Sequence, residues 1–441
     1  GWGLVDDLHS KNVAGRGRLV HVLQHPGIQA LDISAERWAW NAETQAWYRP
    51  GDTLRRLLAL IETDGAGAML IDLMRIAGGS THWRLCRGCG SDFSTTVPSQ
   101  SLAGTLAGPD TRRGDLSNLH HPECAALAYM DQVQQFNAPS AWNGTWKMDW
   151  QAHLDIHQLR ASSGTTVRSA RATAIMGSPE ESTYNFRALS WQRDASDGQP
   201  TCIDLAFEPR VGPSDVADIQ PVAADSTASG IQITTRKGKQ IRLYWAPDAD
   251  GQTSFADGTR LCGTLAASIN GEITSCDSTS IYHSGQQHAL ASATRRATVT
   301  SVDEANCSVE IRGVDEIAPG MRMRTAPRGR NYRIERAEKT DGGRWRLTLD
   351  VTTLLGRGRV ISVVGKMIEL DFCIIARTGY LHDTHLRTID GKAARIQSAY
   401  NTNHKHTTVH LYTPLENLTP GQWLEAADCV RGDRVLLNTI Q

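Results

Sequence analysis

The stretch Ile71-Asp72-Leu73-Met74-Arg75-Ile76-Ala77-Gly78-Gly79-Ser80-Thr81-His82-Trp83-Arg84 decides the fold class. Asp72 to Ile76 reads as a half-buried strand, in which successive side chains point to opposite faces. Gly78 and Gly79 can adopt positive φ and reverse the chain. The following His82-Trp83-Arg84 then returns antiparallel, with His82 and Arg84 on one face and Trp83 on the other.

The same two-residue periodicity extends along most of the chain, and helical periodicity is rare. Clear strand candidates are Leu54–Glu62, Ala68–Ile76, Asn185–Arg193, Cys202–Pro209, Gly230–Thr235 and Gln240–Trp245. Ser308–Arg312, Thr407–Tyr412 and Arg434–Leu437 add others near the C-terminal end. Turn pairs such as Asp257-Gly258, Asn270-Gly271 and Asp390-Gly391 separate them. The expected fold is therefore mostly β: a large two-sheet antiparallel sandwich over 1–295, then one or two small β modules over 296–441. Pro122–Gln135 and Ala152–Arg160 are the ambiguous segments, each readable as helix or strand. Pro319–Arg324 with Tyr332–Ile334, and Tyr380–Asp390 with Arg395–Gln397, read as related hairpins, a hint of duplication.

With 441 residues the chain exceeds one core, which stops growing near roughly 250–300 residues. A formal net charge of −1 argues against nucleic acid as a main partner. No apolar run approaches the ~20 residues of a membrane helix, so no membrane insertion is expected. The chain starts at Gly1 with no signal segment, which suggests a processed product, a trimmed chain or a fragment. Nine cysteines are too sparse for a disulfide scaffold and read mainly as small buried hydrophobes, with one Cys262–Cys276 bridge left open.

The residues that could carry chemistry are few. His82 could face a cleft, with Arg84 holding a carboxylate; the competing reading is a strand histidine satisfied by its neighbours. Cys86-x2-Cys89 with His121-x2-Cys124 could supply four tetrahedral ligands to a structural zinc, against the commoner reading of unrelated loop residues. His404, His406 and His410 are evenly spaced on one strand face, and His153 and His157 are expected to share a face only on a helix. The tryptophans are mostly core, but Trp38 and Trp40 share a face that could stack on sugars.

The order Arg18-Leu19-Val20-His21, His25-Pro26-Gly27, Tyr48, Leu54-Arg55-Arg56-Leu57, then Asp72, Arg75, Gly78-Gly79 and His82-Trp83 resembles the C-terminal β-sandwich of heparinase II/III-like polysaccharide lyases. The resemblance spans roughly 4–290. It implies a protein acting on acidic polysaccharide by β-elimination next to a uronic acid, periplasmic or secreted, with calcium or zinc as candidate structural metals. It also implies substrate contacts at Arg84, Trp38, Trp40 and Tyr48, and His82 as the candidate catalytic residue. In that family the principal acid/base groups come from an N-terminal helical domain and from a His-Gly-His-Ala-Asp-like strand. Nothing here matches either, so the expectation is the sheet half of such a lyase, inactive alone and needing that helical domain as partner. The alternative is a non-catalytic carbohydrate-binding or structural sandwich.

Overall fold

The computed structural model describes residues 13–41, 46–48, 51–64, 67–88, 90–117, 122–148, 151–173, 185–224, 227–248, 251–290, 295–325, 330–372, 381–402 and 405–438. Strands make up 64% of the described residues. Among the described residues helix is confined to short 3-10 stretches, the longest being Pro122–Tyr129. Both ambiguous segments resolve toward strand. Pro122–Gln135 splits into that 3-10 stretch and the strand Asp131–Phe136, and Ala152–Ala161 is a strand throughout.

Three antiparallel sheets form the first part of the chain. The large sheet runs Val13–His25, Ile28–Asn41, Thr53–Glu62, Ala68–Ala77, Thr201–Val211, Ala152–Ala161, Trp142–Lys147 and Asp92–Thr95, with Ala46–Tyr48 on the second strand. The second sheet runs Thr81–Arg87, Asn185–Asp194, Thr166–Thr173, Asp131–Phe136 and Ser99–Ser101. The third begins with Val216–Val222, Ser229–Thr235 and Gln240–Trp245 and ends with Arg260–Ile269, Glu272–His283 and Gln286–Ala289.

The large sheet lies in the middle, and alternation along its strands shows how. On Thr201–Val211, Ile203, Leu205 and Phe207 pack with Leu189 and Trp191 of the second sheet. Ala206, on the opposite face, packs with Ile233, Leu243 and Trp245 of the third. The sandwich is therefore three sheets deep, where two were expected. The central strands are long apolar runs because both of their faces are covered. The second sheet does not reach the far strands, and Leu31 and Leu60 there are 42% and 48% exposed.

Gly78 and Gly79 have φ of +82° and +73°, as their turn requires. The expected hairpin does not form, however. Ala68–Ala77 already pairs with Thr53–Glu62 on one edge and Thr201–Val211 on the other. With no ladder left, the chain crosses the sandwich, and Thr81–Arg87 joins Asn185–Asp194 in the second sheet.

Two closed six-stranded barrels follow. The first consists of Arg295–Asp303, Ser308–Arg312, Arg322–Thr325, Asn331–Thr340, Arg344–Leu349 and Arg434–Asn438. The second consists of Leu354–Val364, Met367–Leu370, His385–Thr388, Ala393–Thr402, His406–Leu411 and Trp423–Ala427. Numbering the strands within each barrel by chain order, both close in the order first, second, fifth, fourth, third, sixth. Two irregularities match too: register shifts fall at Val299/Ser301 and Ile334/Arg336 in one, and at Val360/Ser362 and Ile396/Ser398 in the other, which has a further shift at Leu354/Gly356. The two hairpins singled out in the sequence are the third and fourth strands of each barrel. The second barrel is nested inside the first, between its fifth and sixth strands. The sandwich meets the first barrel where a bulge at Leu19/His21 turns carbonyls outward: Arg324 Nη1 donates to Val20 O at 2.9 Å and Asn331 Nδ2 to Leu19 O at 3.1 Å.

Cys262 and Cys276 do not bridge, and both carry free thiols. Their strands pair, but the register sets Cys262 opposite Ser280 and Cys276 opposite Leu265. Burial pushes the Cys276 thiol up to about 12.

Candidate functional site

His82 and Arg84 do share a face of Thr81–Arg87, and that face is turned into the sandwich. His82 is 5% exposed. Its Nε2 lies 2.5 Å from Gly78 O and its Nδ1 2.6 Å from Thr201 Oγ1. A carbonyl only accepts, so Nε2 carries the proton, and the Thr201 hydroxyl donates to Nδ1 in the neutral ring. No lone pair is left for a substrate proton. Arg84 Nη2 donates to Asp72 Oδ2 at 2.6 Å, and its guanidinium lies 5.7 Å from the Trp191 ring centroid. Arg56 forks onto the same carboxylate at 2.6 and 2.5 Å.

The opposite face of the same central strand holds a second network. Arg75 Nη1 donates to Asp204 Oδ1 at 2.5 Å and Nη2 to Ser229 Oγ of the third sheet at 2.5 Å, under the Trp245 ring. A third joins the same two sheets. His21 bridges Asp32 and Asp277 at 2.9 Å each, while Arg55 forks onto Asp32. Burial pulls the His21 imidazole down, but hydrogen bonds to Asp277 and Asp32 and their charges hold it above its usual value.

Trp38 and Trp40 lie on Ile28–Asn41 and Tyr48 on the neighbouring Ala46–Tyr48, with Trp40 opposite Trp47 and Ala39 opposite Tyr48. Their side chains lie outside the described residues. The candidate zinc set is likewise beyond description: Cys89 and His121 lie outside the described residues, and Cys124 contributes only backbone to the 3-10 stretch. Cys86 is half-buried on Thr81–Arg87. Among the described residues no three His, Cys, Asp or Glu side chains are grouped to hold a metal ion. His404 lies outside the described residues, and His406 Nδ1 is 3.2 Å from Glu369 Oε1. His153 and His157 share a face although Ala152–Ala161 is a strand, because an even spacing does so on a strand as well.

Among the described residues two surface clefts stand out. The larger, about 240 Å³, lies between Thr63, Gly67, Glu208, Arg210, Pro213 and Asp215. Its charges are already satisfied: Glu208 accepts from Ser214 Oγ and Asp215 N, and Arg210 pairs with Asp155 at 2.5 Å. The smaller, about 190 Å³, lies on the outer face of the second sheet, lined by Trp83, Gln192, Arg168 and the loop Leu106–Pro109. On Thr166–Thr173, Val167 points into the sandwich core while Arg168 lies on the outer face with Ala170. Arg168 Nε donates to Gln135 Oε1 at 3.1 Å and Nη1 to Gln192 Oε1 at 2.8 Å. Of this cleft the sequence signalled only Trp83, by its parity opposite His82. The rest comes from strands remote in sequence. Family models were searched without a match, and no curated protein matches the chain.

Proposed function

We propose that this chain is the sheet wall of a uronic-acid polysaccharide lyase-type protein, engaging acidic polymer without eliminating it alone. β-Elimination needs a base within hydrogen-bond reach of the proton α to the carboxylate and a cation on that carboxylate. The observation that carries the reading is that His82 and Arg84, the residues expected to do this, are enclosed in the sandwich, His82 bonded at both ring nitrogens and Arg84 paired with Asp72. The apolar half-face carrying Leu31 and Leu60 fits a sheet that meets another part of its protein. The barrel part, with 22 Lys and Arg against 17 Asp and Glu from Arg295 onward, suits a polyanion. A periplasmic or secreted location belongs to the same proposal.

The test has two arms on the whole chain. Electrophoresis through gels containing heparin, alginate or a neutral glucan should show retardation by the acidic polymers alone. Absorbance of unsaturated uronate should stay at background with each of them. Turnover would overturn the assignment of chemistry elsewhere, and equal mobility in all gels would overturn polymer binding. The second reading, a purely carbohydrate-binding sandwich, is favoured by the Trp83–Arg168 cleft. It gains if the chain stays inactive when supplied with a helical lyase domain.

A further inference from the structure

Arg55, Arg56, Arg75, Arg84, Arg171 and Arg210 of the sandwich each meet a carboxylate at 2.5 or 2.6 Å. Arg168 is different. It is half-buried, and among the described residues no carboxylate pairs with it. Its two bonds go to the amide oxygens of Gln135 and Gln192, which fix the guanidinium plane without neutralising its charge. Of its five N–H donors, three remain. A partly desolvated cation without a counter-ion is costly, and a bound anion removes that cost.

Two further observations fall at the same place. Ser190 is cross-strand to Arg168 and shares the outer face with Gln192. It is 1% exposed, and among the described residues its hydroxyl has no hydrogen-bond partner. The opposite wall is preformed: Thr105 and Gly108 exchange backbone hydrogen bonds at 3.1 Å, and the Thr111 hydroxyl donates to Gly108 O at 2.6 Å. Leu106 and Ala107 anchor that loop in the core beside Trp83. The wall and the oriented guanidinium are held in place before any ligand arrives, and Trp83, 8% exposed, lines the cleft beside them.

We propose that the Trp83–Arg168 cleft is an anion subsite taking the carboxylate or sulfate of a single sugar unit. Arg168 grips the oxyanion with its remaining fork of donors, and the pyranose ring lies between Trp83 and the Gly108–Pro109 wall. A volume of about 190 Å³ suits one sugar unit, below the roughly 300–1,000 Å³ of pockets that engulf larger ligands. The choice of a sugar acid rests on the reading of the chain as polysaccharide-engaging; the anion site itself does not.

The test is calorimetric titration of the whole chain with glucuronate, glucosamine 6-sulfate and glucose. Both acids should bind and glucose should not; whichever acid is tighter identifies the oxyanion. Arg168→Gln should weaken acid binding by about tenfold or more, and Arg168→Lys should recover part of it. Unchanged binding in Arg168→Gln, or glucose binding as well as glucuronate, overturns the subsite. Should Arg168→Gln fail to fold, the native chain still decides: acid binding that is insensitive to added salt overturns it. Acid binding without retardation by acidic polymers would retain the subsite and remove the polymer reading. Retardation that persists in a folded Arg168→Gln chain with no acid binding would do the same for the subsite and place the polymer elsewhere.

Discussion

Asp72 accepts hydrogen bonds from two arginines, one of them fully enclosed between the large and second sheets. Removing its charge leaves two guanidinium groups facing each other without compensation. Asp72→Asn should therefore cost about 3–5 kcal/mol. Asp197→Asn, whose carboxylate is 51% exposed beside Arg193, should cost about 1 kcal/mol or less. Urea unfolding of the two variants measures the contrast, and equal losses would refute it. His21 offers a pH dependence at the same scale. Its folded pKa lies above the ordinary 6.5, so the native state binds the proton more tightly than the unfolded chain. The stabilisation is fully present below pH 6.5 and is lost as pH rises through the higher folded value. The charged groups facing it are Asp32, Asp277 and Arg55. The stability gap between the native chain and His21→Gln should be widest near pH 5.5 and shrink toward pH 9; melting curves that stay parallel across that range would contradict the bridge.

At the scale of elements, the Gly78-Gly79 crossing determines which sheet receives His82. A Cβ on Gly78 would lie 2.8 Å from Asp52 Cα and 2.9 Å from Gly51 O. On Gly79 the nearest atom would be 3.7 Å away. Gly79→Ala should therefore cost only its left-handed backbone, about 1–2 kcal/mol. Gly78→Ala should cost more than about 2 kcal/mol, since backbone must also move. Chemical denaturation of both variants tests the order, and an equal cost would mean that the loop at Gly51 yields freely. The strand itself was legible from Ala68 to Ile76, and so was the turn. The hairpin expectation failed because a turn sequence specifies that the chain bends; whether the next strand finds a free edge depends on strands some 130 residues away.

At the scale of the molecule, the nested barrels define the C-terminal part. The second barrel's core, from Val360 to Ala426, is built from its own strands and loops. The first barrel's core is completed by Cys429, Val435 and Leu437, after the insertion. The insertion is tolerated because its entry and exit adjoin: Asp428 N donates to Thr353 O at 2.8 Å. Glu304 of the first barrel then ties the joint, accepting from Thr352, Thr353 and Arg387. Residues 352–428 expressed alone should give a cooperative thermal transition and dispersed amide resonances. A broad, non-cooperative melt would show that the outer barrel is required.

What the sequence alone determined is the local part: two-residue periodicity and Gly-centred turns specify an antiparallel β protein with almost no helix, the hairpins shared by the two barrels, and the parity that separates His82 and Arg84 from Trp83. Tertiary structure decided the rest: the third layer, the nesting of one barrel in the other, the enclosure of His82 and Arg84 beside Thr201 and Asp72, and the meeting of Trp83 with Arg168 and Gln192. The reason is physical. Alternation tells a residue which face it shares, whereas the layer that covers that face is chosen by apolar burial among strands far apart in the chain.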